Sequence, residues 1–203
     1  MEDKSFPFIF FYAIICLGSD CMFKKLDILD EKDSRLRKIS KDAKFPLSDE
    51  YKDLIERMVT ELTYSQIEEY EKKYDLRPGM GLAFPQIGIN ERIIVIVYEY
   101  DEGKFDNYIF INPKITSYSD EMIAAELGEG CLSVNREVEG HVPRHARVTV
   151  EGYDVDGNKI KVRAREDLAL AFQHEIDHLN GILFYDRIDK KKPFFTEKEM
   201  RLI

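Results

Sequence analysis

Between Pro46 and Leu62 apolar residues recur at the spacing of one helix face. Leu54, Ile55, Met58, Val59 and Leu62 follow a 3.6-residue period, with Ser48 in the N-cap position ahead of Asp49 and Glu50. They read as core residues, not as a cofactor box. Tyr64 to Tyr74 is polar and acidic, and predicts a second short helix or an extended insertion. From Arg92 to Tyr98 the pattern becomes an unbroken β-branched run, which predicts a buried strand. Asp101 to Lys104 is a turn, and Tyr108 to Pro113 a second strand ended by its proline. Val148 to Tyr153 and Lys159 to Arg163 flank Asp156-Gly157-Asn158 as a hairpin. Leu26 to Pro46 is charged and mostly irregular, and Lys190-Lys191-Lys192-Pro193 reads as a solvated tail.

The last long element is the most apolar. Glu166 and Asp167 favour a helix start, and five consecutive apolar residues from Leu168 to Phe172 make that helix apolar around most of its circumference. It should therefore be buried, with Asn180-Gly181 as its C-cap signal. Strands in runs followed by one buried helix predict an α+β fold, with antiparallel or mixed β-sheets packed around that C-terminal helix.

This buried helix carries chemistry. Gln173-His174-Glu175-Ile176-Asp177-His178 contains H-E-x-x-H. Residues four apart on a helix bring their Cβ atoms to roughly 5–6 Å, so His174 and His178 can grip one metal ion. Glu175 is then placed to act as general base toward a water. A catalytic metal of this kind usually takes a third protein ligand. Cys131, in Glu129-Gly130-Cys131-Leu132-Ser133, is the candidate, and a thiolate beside two imidazoles suits zinc or ferrous iron. Taken alone, a lone cysteine reads as a small buried apolar residue.

The 203 residues are within the range of one domain, and a net charge of −9 argues against a basic nucleic-acid-binding face. The cysteines are Cys16, Cys21 and Cys131; with Cys131 claimed by metal no disulfide framework is implied, which points to a reducing compartment. Phe6 to Leu17 is apolar but too short for a transmembrane helix and holds Pro7. Residues 1–21 read as an upstream extension, or as an organelle-targeting segment or anchor; residues 22–203 read as the catalytic domain.

Three motifs in order resemble the peptide deformylase family. They are Gly79-Met80-Gly81-Leu82-Ala83-Phe84-Pro85-Gln86, the Glu129 to Ser133 segment and Gln173 to His178. H-E-x-x-H alone is shared by many metalloproteases; the three together are specific, and the resemblance covers roughly Met22 to Asp189. In it, Tyr64 to Tyr74 marks the longer subtype typical of Gram-positive bacteria. It implies removal of the formyl group from N-terminal formyl-methionine of nascent peptides. One divalent metal is implied, ferrous iron ahead of zinc, nickel or cobalt. The cytoplasm is the implied location, or an organelle if residues 1–21 are a targeting segment. The nascent formylated chain, and with it the ribosome, is the implied partner, with no specific nucleic acid and no membrane.

The resemblance also assigns residues. Gln86 and the backbone N–H of Leu132 donate to the oxyanion, and Glu175 moves the proton. Gly81 lets the backbone approach the substrate, and Met80, Leu132, Leu170 and His174 border a methionine pocket. Arg144, in Val142-Pro143-Arg144, steadies Glu129 and can share Asp177. Without it, Gln86 would read as a loop glutamine, Gly79 and Gly81 as turn glycines, and Met80 and Leu170 as core packing. Phe84 replaces an alanine usual in the family and Asp167 an apolar residue; the usual proline before Leu36-Arg37 is replaced by Asp33-Ser34-Arg35. A ring at position 84 either packs inward, leaving Gln86 in place, or narrows the substrate groove. Two rivals stay open: an H-E-x-x-H metallopeptidase, and a catalytically weak paralogue that binds formylated or nascent peptides.

Overall fold

The computed structural model describes residues 23–196 and 198–203, so the expected N-terminal segment, residues 1–21, lies outside the described residues, as do Cys16 and Cys21. The helices are α1 (Asp49–Ser65), α2 (Glu68–Tyr74) and α3 (Glu166–Leu179). The strands are β1 (Gly81–Ala83), β2 (Ile93–Asp101), β3 (Lys104–Tyr118), β4 (Met122–Ala124), β5 (Arg144–His145), β6 (Arg147–Tyr153), β7 (Lys159–Arg165) and β8 (Arg201–Leu202). They make one five-stranded antiparallel sheet, in the order β1-β2-β3-β6-β7, and one mixed three-stranded sheet, β5-β4-β8. The architecture is the α+β arrangement expected.

Strand β2 explains its own composition. Ile93, Val95 and Val97 face a core built with Ile55, Met58 and Leu62 of α1. Ile94 and Ile96 face the opposite core, with Ala169, Phe172, Ile176 and Leu179 of α3. All five β2 residues are fully buried. A strand covered on both faces has no polar side to alternate with, hence the unbroken β-branched run. The N-cap of α1 is as expected, with Ser48 Oγ accepting the Tyr51 N–H at 3.3 Å. The short α2 buries no side chain; Tyr70 and Tyr74 stack on Tyr64 at the end of α1, at 4.4 and 5.7 Å between ring centroids.

Helix α3 ends as the Asn180-Gly181 signal predicts. Gly181 N–H donates to His178 O and Ile182 N–H to Asp177 O, a Schellman closure. Gly181 has φ +72°, and a Cβ there would lie 2.5 Å from Arg37 O, so both conformation and space demand glycine.

The structure corrects two readings. Pro113 does not end its strand: β3 runs on to Tyr118, and the pairing with β6 slips between Ile111 and Lys114. Asn112 there has φ +54°, and its amide bonds both the N–H and the C=O of Ala43. The proline occupies an irregularity where no ladder donor is required. Residues 190–192 are exposed as expected, but the chain beyond them is no free tail, because Pro193 O accepts the His141 N–H and Arg201 and Leu202 form β8. Where the family's proline is missing, Asp33 accepts from Arg35 N–H and caps a 3-10 turn over Ser34–Arg37.

Phe84 packs inward. It is 0% exposed, joins the α1 core and meets Tyr51 edge-on at 5.3 Å. Phe84→Ala is expected to cost about 3–5 kcal/mol through the cavity it leaves, read as a lower urea midpoint. An unchanged midpoint would show that the ring is not part of the core.

Candidate active site

Helix α3 presents His174 and His178 one turn apart, and the loop after β4 brings Cys131 to meet them. The ligand atoms of Cys131, His174 and His178 all lie within 4.8 Å of one another, and Cys131 Sγ is 3.3 Å from His178 Nε2. Beside them opens a cleft of about 480 Å³ bordered by Gly81, Gln86, Leu132, Cys131, His174 and Glu175. Met80, Leu170 and Glu129 also border it; His178 and Arg144 lie behind, buried. Met80, Leu132 and Leu170 each belong to a core cluster as well, so their packing and cleft-lining roles coexist.

The ring of His174 is aimed from behind. Its Nδ1–H donates to Glu129 Oε2 at 2.8 Å, which turns the Nε2 edge toward Cys131 and the site. Glu129 is held in turn by Arg144, with Nε to Oε1 at 2.8 Å and Nη2 to Oε2 at 2.9 Å. The third arm of Arg144, Nη1, reaches Asp177 Oδ2 at 2.5 Å, and Arg187 grips Asp177 with two further bonds of 2.5 Å. Burial alone would raise the Glu129 carboxyl; the Arg144 guanidinium and the His174 ring overcome it and hold it at about 2. His178 is pushed well below the usual imidazole range by burial, then by the neighbouring His174. Burial opposes protonation of His174, but its bonds to Cys131 and Glu129 outweigh it and raise its pKa.

Glu175 is buried, and burial lifts its carboxyl to about 7. A base poised there is matched to proton transfer near neutral pH. Its Oε2 is buried with no hydrogen-bond partner among the described residues, so it is available to a water or substrate proton. Gly81 makes the room: a Cβ at that position would sit 2.4 Å from Glu175 Oε1. Gln86 is 1% exposed, and its Oε1 is spent on the Ala83 N–H at 2.8 Å. That turns Nε2 toward Ser133 Oγ at 3.3 Å and Cys131 Sγ at 3.7 Å, a donor directed at the site. Two nitrogens and one sulfur beside an unspent buried carboxylate fit a borderline-soft divalent metal.

Several contributors escaped sequence reasoning. Arg77 donates to Cys131 O at 2.7 Å and ties the cysteine loop to the glycine loop. Gln173 bonds both the N–H and the C=O of His145, at 2.9 Å each, splicing α3 to β5. Leu29 N–H donates to Gln86 O at 2.8 Å and Glu31 N–H to Ser133 O at 2.7 Å, so one N-terminal strap holds both loops. Gln173 and Ser133 stand inside quoted motifs and could have been flagged. Arg77, Arg187 and the strap carry no local signal.

A sheet-packed helix carrying this constellation defines a metal-dependent hydrolase. The polypeptide deformylase family model matches residues 25–194. The peptide deformylase of Oceanobacillus iheyensis is 46% identical over 173 residues, 85% of this chain and 94% of that one. Peptide deformylase 2 of Bacillus anthracis is 43% identical over the same shares. Among solved structures, a plant peptide deformylase of type 1B aligns with a TM-score of 0.68 at 30% identity, covering 82% of each chain. The Thermotoga maritima peptide deformylase aligns at 0.64 and 34% identity, over 82% of this chain and 99% of that one. The chain belongs to the polypeptide deformylase family. Its reaction is the metal-dependent removal of the formyl group from the N-terminal formyl-methionine of newly made proteins.

Arg144→Ala would strand the Glu129 and Asp177 carboxylates in a buried setting. The expected loss is about 3–5 kcal/mol of stability by urea unfolding. A melting temperature equal to that of the wild type would show that the pair is not buried as described.

Proposed function

We propose that Cys131, His174 and His178 hold one divalent metal, ferrous iron as the native ion, and that Glu175 is the general base of deformylation. The observation that carries this reading is the convergence of three ligand atoms within 4.8 Å beside the unpartnered Glu175 Oε2. The metal supplies Lewis acidity, lowering the pKa of water toward neutrality. Glu175 Oε2 accepts the proton of the attacking water as its oxygen bonds to the formyl carbon. Gln86 Nε2 and the backbone N–H of Leu132 donate to the oxyanion that develops. Glu175 then gives its proton to the methionine nitrogen as the C–N bond breaks, which releases formate and a free amine. Glu129, oriented by Arg144, keeps the proton of His174 on Nδ1. Met80, Leu132 and Leu170 receive the methionine side chain, and the backbone at Gly81 runs beside the peptide.

A neighbouring structure, the Acinetobacter baumannii class I type b enzyme, is described with Met-Ala-Ser bound; it is 27% identical, with a TM-score of 0.65. That peptide fits the substrate class inferred for this cleft. The ribosome, where formylated chains emerge, is the partner this implies, and the cytoplasm the compartment. No helix among the described residues is long and apolar enough to cross a membrane. The inward packing of Phe84 removes the support for a binding-only paralogue.

Anaerobically purified, iron-loaded protein is expected to turn over formyl-Met-Ala-Ser and to leave the unformylated peptide intact. Cleavage of the unformylated peptide would favour the metallopeptidase reading. Cys131→Ser is expected to lose most of its iron, read by metal analysis; full metal content with wild-type turnover would sink the ligand assignment.

We further propose that residues 22–203 form the catalytic unit and that residues 1–21 are dispensable to it. The family match begins at residue 25, and Leu26 N–H already bonds Glu61 of α1 at 2.5 Å. Protein starting at Met22 is expected to fold and turn over normally. Loss of soluble expression on that truncation would overturn the boundary.

A further inference from the structure

One charge at the mouth of the cleft has no role in the deformylation chemistry. Asp167 borders the cleft and is exposed, and its carboxylate has no hydrogen-bond or ion-pair partner among the described residues. The other cleft-lining carboxylates are differently placed. Glu129 is neutralised by Arg144, and Glu175 is buried beside the proposed metal ligands. Arg77 borders the cleft too, but its guanidinium is spent on Cys131 O and Asn135 Oδ1. Asp167 is therefore the one cleft-lining carboxylate, among the described residues, free to meet a substrate charge.

Its position along the site is set by helix geometry. Asp167, Leu170, Ala171 and His174 all border the cleft, the i, i+3, i+4, i+7 stripe of one helix face. At about 1.5 Å rise per residue, Asp167 stands roughly 10 Å along α3 from His174. An extended peptide advances about 3.3 Å per residue. A formyl carbon seated at Cys131 and His174 thus brings the third residue of a peptide lying along this face opposite Asp167, and because side chains of an extended peptide alternate sides, that residue faces α3 as the methionine does. The wall between is apolar: Leu170 borders the proposed methionine pocket, and Ala171 beside it offers apolar surface to the methylene stem of a long cationic side chain.

We propose that Asp167 is a specificity-determining residue that favours formylated peptides with Lys or Arg at the third position. The proposal rests on the formyl group being seated at Cys131 and His174, as the proposed function requires. The chain's net charge of −9 would favour cationic peptides without regard to position. The distinguishing claim is that the preference belongs to one residue and falls at the third substrate position, not the second.

The test compares kcat/KM of the iron-loaded enzyme on formyl-Met-Ala-Ser with peptides carrying Lys or Glu at position two or three, at low and high salt. An exposed ion pair of ordinary strength gives a Lys-over-Glu preference of roughly 3- to 5-fold at position three. Salt should shrink it, as it screens exposed charges. D167N and D167L should each bring that ratio close to one at the same position. A ratio unchanged in D167N would overturn the proposal. So would a D167L effect confined to the first side chain, methionine against leucine. Absence of formyl-Met-Ala-Ser turnover in the wild type would instead overturn the seating itself, and this proposal with it.

Discussion

Inside the molecule the Arg144 guanidinium, 2% exposed, meets two carboxylates from different parts of the chain. Its fork closes on Glu129 of the cysteine loop while its third arm reaches Asp177 of α3. Arg187 adds a second cation to Asp177, so the cluster holds two positive and two negative groups. A buried charge is tolerated only when paired and hydrogen-bonded. Here the pairing is also an alignment. Glu129 is fixed by Arg144 and therefore fixes the tautomer and tilt of His174, while Asp177 pulls α3 against the same guanidinium. Loop and helix are brought into register by one side chain, and the distance between Cys131 and His178 is a product of that register.

The double burial of β2 supplies the opposite wall. Strand β1 pairs with β2, Gly81 beside Ile96, and then sends Leu82 and Ala83 into the two cores in turn, followed by Phe84 into the first again. The segment leading to Gln86 is thus gripped on both sides before it reaches the site. This is why a large ring at position 84 leaves the donor amide where it is. The ring is spent on core packing, and Gln86 Oε1 is tied back to Ala83 N–H.

Long periodic or apolar segments were legible in the sequence: α1 with its Ser48 cap, β2, the β6–β7 hairpin and the buried α3. So were the candidate ligands and the proposed base, as residue types unusual in a core, while the Glu129–Arg144 pair was reached through the family resemblance. The strands β4, β5 and β8 were not legible. Each has two or three residues, too few for a period, and each exists only through a distant partner. Pro113 misled because its consequence depends on Asn112 adopting φ +54°, which only the contact with Ala43 reveals. Arg77 and Arg187 look like any surface arginine until the carbonyl and the carboxylate they reach are located.

The N-terminal strap gives the site a cooperative character. Leu29 closes a loop of about 60 residues on Gln86, and Glu31 one of about 100 residues on Ser133. Once the first bond has formed, the path that the second must close shortens from about 100 to about 50 residues, and with closure entropy logarithmic in length this lowers its cost by about 0.6 kcal/mol. Ser133 Oγ then accepts from Gln86 Nε2 and completes a ring of contacts between the strap and the two loops. Displacing either loop breaks a bond to the strap, and displacing the whole strap breaks its bonds to both. The two loops that carry the proposed oxyanion donors therefore share one support, and it is a segment distant from both in sequence.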